Sequence, residues 1–203
     1  MLQNDSIILI GYSGHGYVAC DIFLKNEINI LGYCDNSEKK ENPFGLTYLG
    51  SENLYDFEDN EVFIAIGDNV LRSKIFNSID GKATYGDAYH PTATIGFMAH
   101  LGTMNLLGAN TVINPLSKIG DGVIINTGAI VEHDCTIGNF VHIAPGAVLA
   151  GNVSVGDFTF IGARAVVKQG VNICNNVVIG AGAVVVKSIT EPGTYIGIPA
   201  QKL

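Results

Sequence analysis

The sequence predicts two parts: an α/β domain over residues 1–88, followed by an all-β, three-sided parallel coil over residues 89–203. Three observations predict it. Charge is unevenly distributed: residues 1–88 carry 14 acidic and 6 basic side chains, the remainder 5 and 5, so the whole net charge of −8 sits in the first part. The first part alternates apolar runs with glycine-bearing turns and stretches of helical spacing. The second part holds 16 of the 25 glycines and repeats an aliphatic residue every six positions.

Composition bounds the function classes. Only 15% of residues are charged, against roughly 25% in a typical domain, which is too apolar for a disordered chain. No apolar run approaches the ~18 residues of a membrane span, so a soluble protein is expected. The opening MLQNDSIILIGYSG lacks a basic n-region, so no secretory signal is expected. Cys20, Cys34, Cys135 and Cys174 lie far apart without CxxC spacing, pointing to free thiols in a reducing cytoplasm and to no metal site. An acidic chain without a basic stripe is a poor binder of nucleic acid or anionic membrane.

In order along the chain, Ser6–Ile10 reads as a strand, Gly11-Tyr12-Ser13-Gly14-His15-Gly16 as a turn, and the stretch through Val18, Ile22 and Phe23 as a helix. A second run, Ile28–Tyr33, ends at Asp35; a third, Val62–Ile66, ends at Gly67 before a helical pattern through Val70, Leu71, Ile75 and Phe76. This is β-α-β order with ligand-type residues at strand ends, where open α/β sheets place their crevice. The turn reads G-x-x-G-x-G, not the G-x-G-x-x-G of dinucleotide binders, yet it aims backbone N–H groups where a phosphate can sit. Asp35 follows Gly11 by 24 residues, near the spacing at which an acid meets a ribose hydroxyl, so a nucleotide is the expected ligand. Turn glycines and solvated acids without a ligand are the alternative.

From Tyr89 the six-residue step runs through Ile95, Leu101, Leu107, Ile113 and onward to Val185, with Ile, Leu or Val at sixteen of seventeen positions and a register reading to 190. Glycine follows the aliphatic residue in eight hexads. A helix needs a period near 3.6, so a strict six fits short strands joined by tight corners. Three hexads make one coil, and the fifth and first positions point inward. The outward sixth positions then fall into three ladders: Val112, Ile130, Val148, Val166, Val184; Leu106, Ile124, His142, Phe160, Val178; and His100, Lys118, Thr136, Ser154, Asn172, Thr190. Two ladders are apolar, so those faces are expected to pack against sister chains in a trimer; cover by helices or by the first domain is the alternative.

The segments IGYSGHG, YCDN, FIAIGDN, YHPTATIG, NTGAIVEHDCTIGNFVHIAPGAVLAGNV and PGTYIGIPAQKL together resemble the bacterial nucleotide-activated amino-sugar acetyltransferases, the bacillosamine-pathway UDP-4-amino-sugar N-acetyltransferases and the sialic acid O-acetyltransferases. The resemblance covers nearly the whole chain. It implies a Rossmann-like domain that binds the sugar nucleotide, a left-handed parallel β-helix of hexapeptide repeats, a homotrimer, and acetyl-CoA as cosubstrate between neighbouring helices. Handedness comes from the resemblance alone, since parallel crossovers are normally right-handed. The family's catalytic histidine falls on His133, with its supporting acid on Asp134. Sugar-nucleotide contacts fall on Ser13, Gly14, His15, Asp35, Asn36 and Gly67, where Asn36 replaces a second acid of a related motif. Acetyl-CoA contacts fall on His142, Gly151, Ala163 and Ala181.

The residues themselves suit that chemistry. Acetyl transfer from a thioester needs removal of a proton from the nucleophile and stabilisation of an oxyanion, and histidine titrates near working pH. His133 stands between Glu132 and Asp134, so either carboxylate is a candidate to hold one ring nitrogen. It reads equally as a solvated corner residue, and His142 as an interface residue. A covalent acetyl-cysteine route through Cys135 is a rival, disfavoured by an inward hexad position. The expected activity is acetyl-CoA-dependent N-acetylation of a nucleotide-linked amino sugar, by the resemblance at C4. O-acetylation of a sialic-acid-like sugar and a non-catalytic nucleotide-sugar-binding β-helix are the alternatives.

Overall fold

The computed structural model describes residues 6–57 and 60–203. The first five residues, read above for a secretory leader, lie outside them. The chain divides into two units, Met1–Pro91 and Thr92–Leu203.

The first unit is built on β1 (Ser6–Ile10), α1 (Gly14–Lys25), β2 (Asn29–Cys34), β3 (Tyr48–Gly50), β4 (Glu61–Ile64), α2 (Asn69–Ile79) and β5 (Thr84–Tyr85). The sheet is parallel throughout, in the order β3-β2-β1-β4-β5. The continuous run Ile7–Ile10 is at most 1% exposed, as expected of a parallel strand covered on both faces. From β1 the chain adds strands to one side through α1, and β4 opens the other side. The order therefore reverses between β1 and β4, and the crevice of an open α/β sheet forms beyond their C-terminal ends. Asp68 caps α2 by accepting from the Leu71 N–H at 2.7 Å. Phe23 of α1 meets Phe63 of β4 edge-on at 5.6 Å, joining helix to sheet.

The second unit is a parallel β-helix. Two-residue strands pair with the strand eighteen residues on, as in Val112↔Ile130 and Ile130↔Val148, and form three faces. Backbone N–H groups of each coil donate to carbonyls of the next, as Ile130 to Ala147 at 2.9 Å and His142 to Thr159 at 3.0 Å. The first hexad positions are buried from Leu107 to Val185, each contributing on the order of 1.5–3 kcal/mol.

The corners reveal two rules that the hexad pattern did not separate. At the fourth position of every hexad from Met98 to Gly182 the backbone is left-handed, with φ between 53° and 72°, although ten of those residues are not glycine. Glycine at the second position serves a different need. A Cβ on Gly162 would lie 2.5 Å from the Ile179 carbonyl oxygen and 2.6 Å from the Ala181 nitrogen, so the next coil approaches too closely for any side chain. One corner adds a ladder of side-chain caps. The Oδ1 atoms of Asp121, Asn139, Asp157 and Asn175 accept the N–H groups of Thr103, Asp121, Asn139 and Asp157 in turn, at 2.7–3.0 Å.

Two sequence expectations change. Leu106 and Ile124, assigned to an outer apolar ladder, are 0% and 1% exposed within the single chain, so the upper part of that face needs no sister chain for cover. Farther along, Val178 is 42% exposed, and on the other apolar ladder Val166 is 40% exposed. The register also ends early: Ile189 bridges Ile173, sixteen residues before it, so Thr190 does not extend the polar ladder. Position 191 is a glutamate and cannot fill the inward slot; Ile189, 7% exposed, turns in instead. The chain then closes with Gly193–Ile196, parallel to Val177–Ile179, and an antiparallel return at Gln201–Lys202. Among the described residues no helix is long and apolar enough to cross a membrane.

Replacing Gly162 by Ala forces a methyl group into neighbouring backbone and is expected to lower stability by about 1–3 kcal/mol. A thermal melt followed by circular dichroism measures it; an unchanged midpoint contradicts the close-approach account.

Candidate active site

In the first unit, Gly11 follows β1 with φ 92°, a conformation that favours glycine. A Cβ on Gly16 would lie 2.7 Å from the Gly11 carbonyl oxygen, so α1 starts hard against the turn. Gly14 has open space about it, and the Ser13 hydroxyl makes no cap to α1. The first-turn N–H groups of a twelve-residue helix thus stand at the C-terminal end of β1, an arrangement suited to a phosphate.

Beside this turn is a cavity of about 270 Å³ lined by Ile10, Gly11, Ser13, Asp35, Asn36, Glu52, Ile66, Leu71 and Ile75. Of the nucleotide candidates, Ser13, Asp35 and Asn36 line it, whereas Gly14, His15 and Gly67 do not. Asp35 is a tie as well as a candidate ligand. Its Oδ2 accepts the Tyr12 N–H at 3.1 Å and pairs with Lys39 Nζ at 2.9 Å, and its Oδ1 accepts the Asn36 N–H at 2.8 Å. Three of about four acceptor sites on the carboxylate are thereby filled, leaving capacity for one hydroxyl. Arg72 had no signal in the sequence beyond a cation on a helix. It is 1% exposed and donates to the carbonyls of Ile66 and Gly67 at 2.9 and 3.2 Å and to Asn69 Oδ1 at 2.9 Å, fixing the turn after β4. Burial pulls its guanidinium down to about 10, opposed by the nearby Asp68, and it stays charged at neutral pH.

In the second unit, His133 stands third in its hexad, at a corner, with its side chain 54% exposed. Asp134, next in the chain and in the left-handed conformation at φ 59°, turns its carboxylate back so that Oδ2 lies 2.8 Å from His133 Nδ1. Glu132 instead accepts the His133 backbone N–H at 3.3 Å. The two acids that the sequence left equal are thus separated by geometry: Asp134 holds the ring, and Nε2 is the nitrogen not committed to it. Gly151 lies on the next coil beneath this ring.

His142 lies elsewhere. It is 9% exposed, on the face formed by Leu106–Leu107, Ile124–Ile125, His142–Ile143 and Phe160–Ile161, and meets the Phe160 ring edge-on at 5.0 Å. Its Nε2 is 3.3 Å from Asn126 Nδ2. Asn126 Oδ1 accepts the Thr127 N–H at 2.8 Å, which orients the amide. An amide nitrogen only donates, so in the neutral ring this contact requires Nε2 to accept and the proton to reside on Nδ1. Asn126 was passed over in the sequence; its signal is a hydrogen-bonding residue at the second hexad position, where glycine recurs. Ala163 and Ala181 fall on the corner column of Thr127 and Pro145 at one end of the His142 face, not on the corner of His133 and Gly151.

Cys135 is fully buried, its Sγ 3.3 Å from the Ala150 carbonyl oxygen, and burial pushes its thiol up. Cys20 and Cys34 are pushed up to about 12 by burial, and all four cysteines are free. An acetyl-cysteine route through Cys135 has neither thiolate nor access. Among the described residues no group of three or more His, Cys, Asp or Glu is placed to hold a metal ion.

Three family descriptions match. Residues 6–79 match the PglD N-terminal domain, residues 116–151 the bacterial transferase hexapeptide (six repeats), and residues 152–187 the hexapeptide repeat of succinyl-transferase. Among solved structures, the acetyltransferase domain of PglB from Neisseria gonorrhoeae FA1090 is 32% identical, covering 98% of this chain and 100% of that one, with a TM-score of 0.92; it has also been solved in complex with acetyl coenzyme A. PerB from Caulobacter crescentus, solved with CoA and GDP-perosamine, is 33% identical over 98% of this chain and 97% of that one, with a TM-score of 0.91. A curated relative, uncharacterized protein L142 of Acanthamoeba polyphaga mimivirus, is 35% identical over 120 residues, which span 59% of this chain and 24% of that protein.

Nitrogen-resolved imidazole NMR at mildly alkaline pH is expected to find the His142 proton on Nδ1. A spectrum with the proton on Nε2 contradicts the amide orientation that Thr127 imposes.

Proposed function

Because this chain belongs to the PglD-like nucleotide-sugar N-acetyltransferases built on a hexapeptide-repeat β-helix, and is an acetyl-CoA-dependent acetyltransferase, we propose that it acetylates the amine at C4 of a nucleotide-linked amino sugar with His133 as general base. The observation that carries this reading is the His133–Asp134 pair. With Nδ1 held at 2.8 Å by Asp134, the imidazole presents Nε2 as an acceptor at an exposed corner, the requirement for removing a proton from an attacking amine.

The neutral amine attacks the thioester carbonyl carbon, and its proton passes to His133 Nε2. Backbone N–H groups of the coils stabilise the tetrahedral oxyanion. Collapse breaks the carbon–sulfur bond, and the departing thiolate takes the proton from the imidazolium, restoring the base. Asp134 steadies the imidazolium between these steps. In the first unit, the nucleotide occupies the cavity beside Gly11 and Ser13, its phosphates at the start of α1. The acidic surroundings repel an anion at long range, so affinity rests on these local N–H groups.

Strand order supports a homotrimer for this reaction. His133 stands at the corner between the face of Ile130–Val131 and that of Thr136–Ile137, whereas His142, Ala163 and Ala181 belong to the third face and its edge. Corner and face lie on opposite sides of one three-sided coil. A cleft containing His133 and Gly151 together with His142, Ala163 and Ala181 therefore draws on two chains, and the exposed Val166 and Val178 belong to faces available for that packing. The cytoplasm, where acetyl-CoA and sugar nucleotides are made, is the proposed location.

Replacing His133 by Ala is expected to lower kcat by about 10²–10⁴-fold while the trimer persists in light scattering. The assay is coenzyme A release with UDP-, GDP- and dTDP-linked 4-amino sugars beside the matching hydroxyl sugars. Release with hydroxyl acceptors alone overturns the N-acetylation reading, and wild-type turnover in H133A overturns the base assignment.

A further inference from the structure

We infer that Gly151 is a positioning residue for the acetyl-transfer base: its missing side chain is the space in which the His133 imidazole lies. The inference rests on His133 being the base, as proposed above. His133 and Gly151 occupy the same hexad position one coil apart. A Cβ placed on Gly151 would lie 2.6 Å from His133 Cε1, 2.7 Å from Nε2 and 3.3 Å from Nδ1, so the ring lies across the bare Cα of the next coil. Carbon and nitrogen atoms settle at roughly 3.5–4.0 Å, so an added methyl group would displace the ring by on the order of 1 Å.

Backbone conformation gives no other reason for this glycine. Its φ lies outside the left-handed region, unlike the fourth-position glycines such as Gly146 at 67°. The crowding also differs from that at Gly162, where the nearest atoms are backbone: the three atoms nearest the added Cβ on Gly151 all belong to the imidazole. Gly151 is also the one glycine at the third hexad position between Phe97 and Lys187, and it falls on the coil directly after His133. The main chain joins the two coils here as well, since the Asn152 N–H donates to the His133 carbonyl at 2.9 Å.

The ring is thus held by three constraints. Asp134 fixes Nδ1, the coil fixes the backbone, and Gly151 supplies a floor against which the imidazole lies. With a methyl group there, the ring cannot keep its place, whether or not it keeps Asp134. Because the clashing atoms are the movable end of a side chain, the fold tolerates the methyl group while the base is misplaced. A 1 Å misplacement of a reacting group costs as much as ~10²-fold in rate.

The test is a double-mutant cycle of G151A, H133A and the double variant, read as coenzyme A release with an amine acceptor, with melting temperatures alongside. G151A is expected to lower kcat at saturating acetyl-CoA about 10–100-fold, to leave the KM for the sugar nucleotide within about twofold, and to melt within a few degrees of wild type. On the H133A background, where no ring occupies the space, G151A is expected to change the residual rate by less than twofold. A near-wild-type kcat in G151A beside an inactive H133A overturns this inference alone. An equal fall on both backgrounds, or a collapse of the melting temperature, also overturns it, because the glycine then serves something other than the ring. Wild-type turnover in H133A removes the base assignment and this inference together.

Discussion

The whole second unit depends on one constraint, the eighteen-residue step by which each coil hydrogen-bonds to the next. Backbone groups pair at 2.7–3.1 Å along all three faces, for instance Gly96 with Ile113 and Val112 with Ala129. Once that step is set, side-chain positions are no longer independent. A residue at any hexad position lies against the residue eighteen places away, so close approach, capping and burial are all decided in columns. The glycines at the second position, the acids and amides of the capping corner and the inward aliphatics all fall on columns of one lattice. Left-handed backbone at the fourth position disfavours residues with a Cβ by roughly 1–2 kcal/mol each. Non-glycine residues accept it here because burial of the inward positions on either side outweighs that cost.

The same lattice positions the residues of the proposed site. His133 is at a corner because its hexad puts it third; its carboxylate partner is Asp134 because the fourth position turns backward; and Gly151 lies beneath it because it is eighteen residues on. His142 is on a face because it is sixth. The α/β unit follows a different logic: parallel strands reverse order between β1 and β4, and the turn after β1, the end of β2 and the turn after β4 converge there. Asp35 and Arg72 tie those loops from opposite sides, one through the Tyr12 N–H and the other through the carbonyls of Ile66 and Gly67.

Much of this was legible in the sequence because periodicity is a one-dimensional record of stacking. The six-residue step gives the coil, its faces and the position of His133 without further information, and the strand-turn-helix order gives the crevice of the first unit. What escaped depends on contacts between residues distant in sequence or on local turns of the backbone. The choice between Glu132 and Asp134 required the left-handed φ of Asp134. The loss of register after Val185 required seeing Ile189 turn inward past a glutamate. Burial of Leu106 and Ile124 is a property of the folded chain, not of their ladder. Asn126 and Arg72 are ordinary polar residues until the amide of one meets His142 and the guanidinium of the other closes a turn. Glycine after the aliphatic residue was visible as a pattern, yet its cause is crowding by the next coil and not a need for positive φ.

The central claim is that the corner of His133, and not another histidine, receives the proton of the attacking nucleophile. A crystal structure of the enzyme with CoA and a nucleotide-linked 4-amino sugar measures this directly. The account predicts the amine nitrogen at hydrogen-bond distance, about 2.6–3.2 Å, from His133 Nε2, with the His142 face of a neighbouring chain against the coenzyme. An amine bound away from His133, or a site completed within one chain, would contradict it.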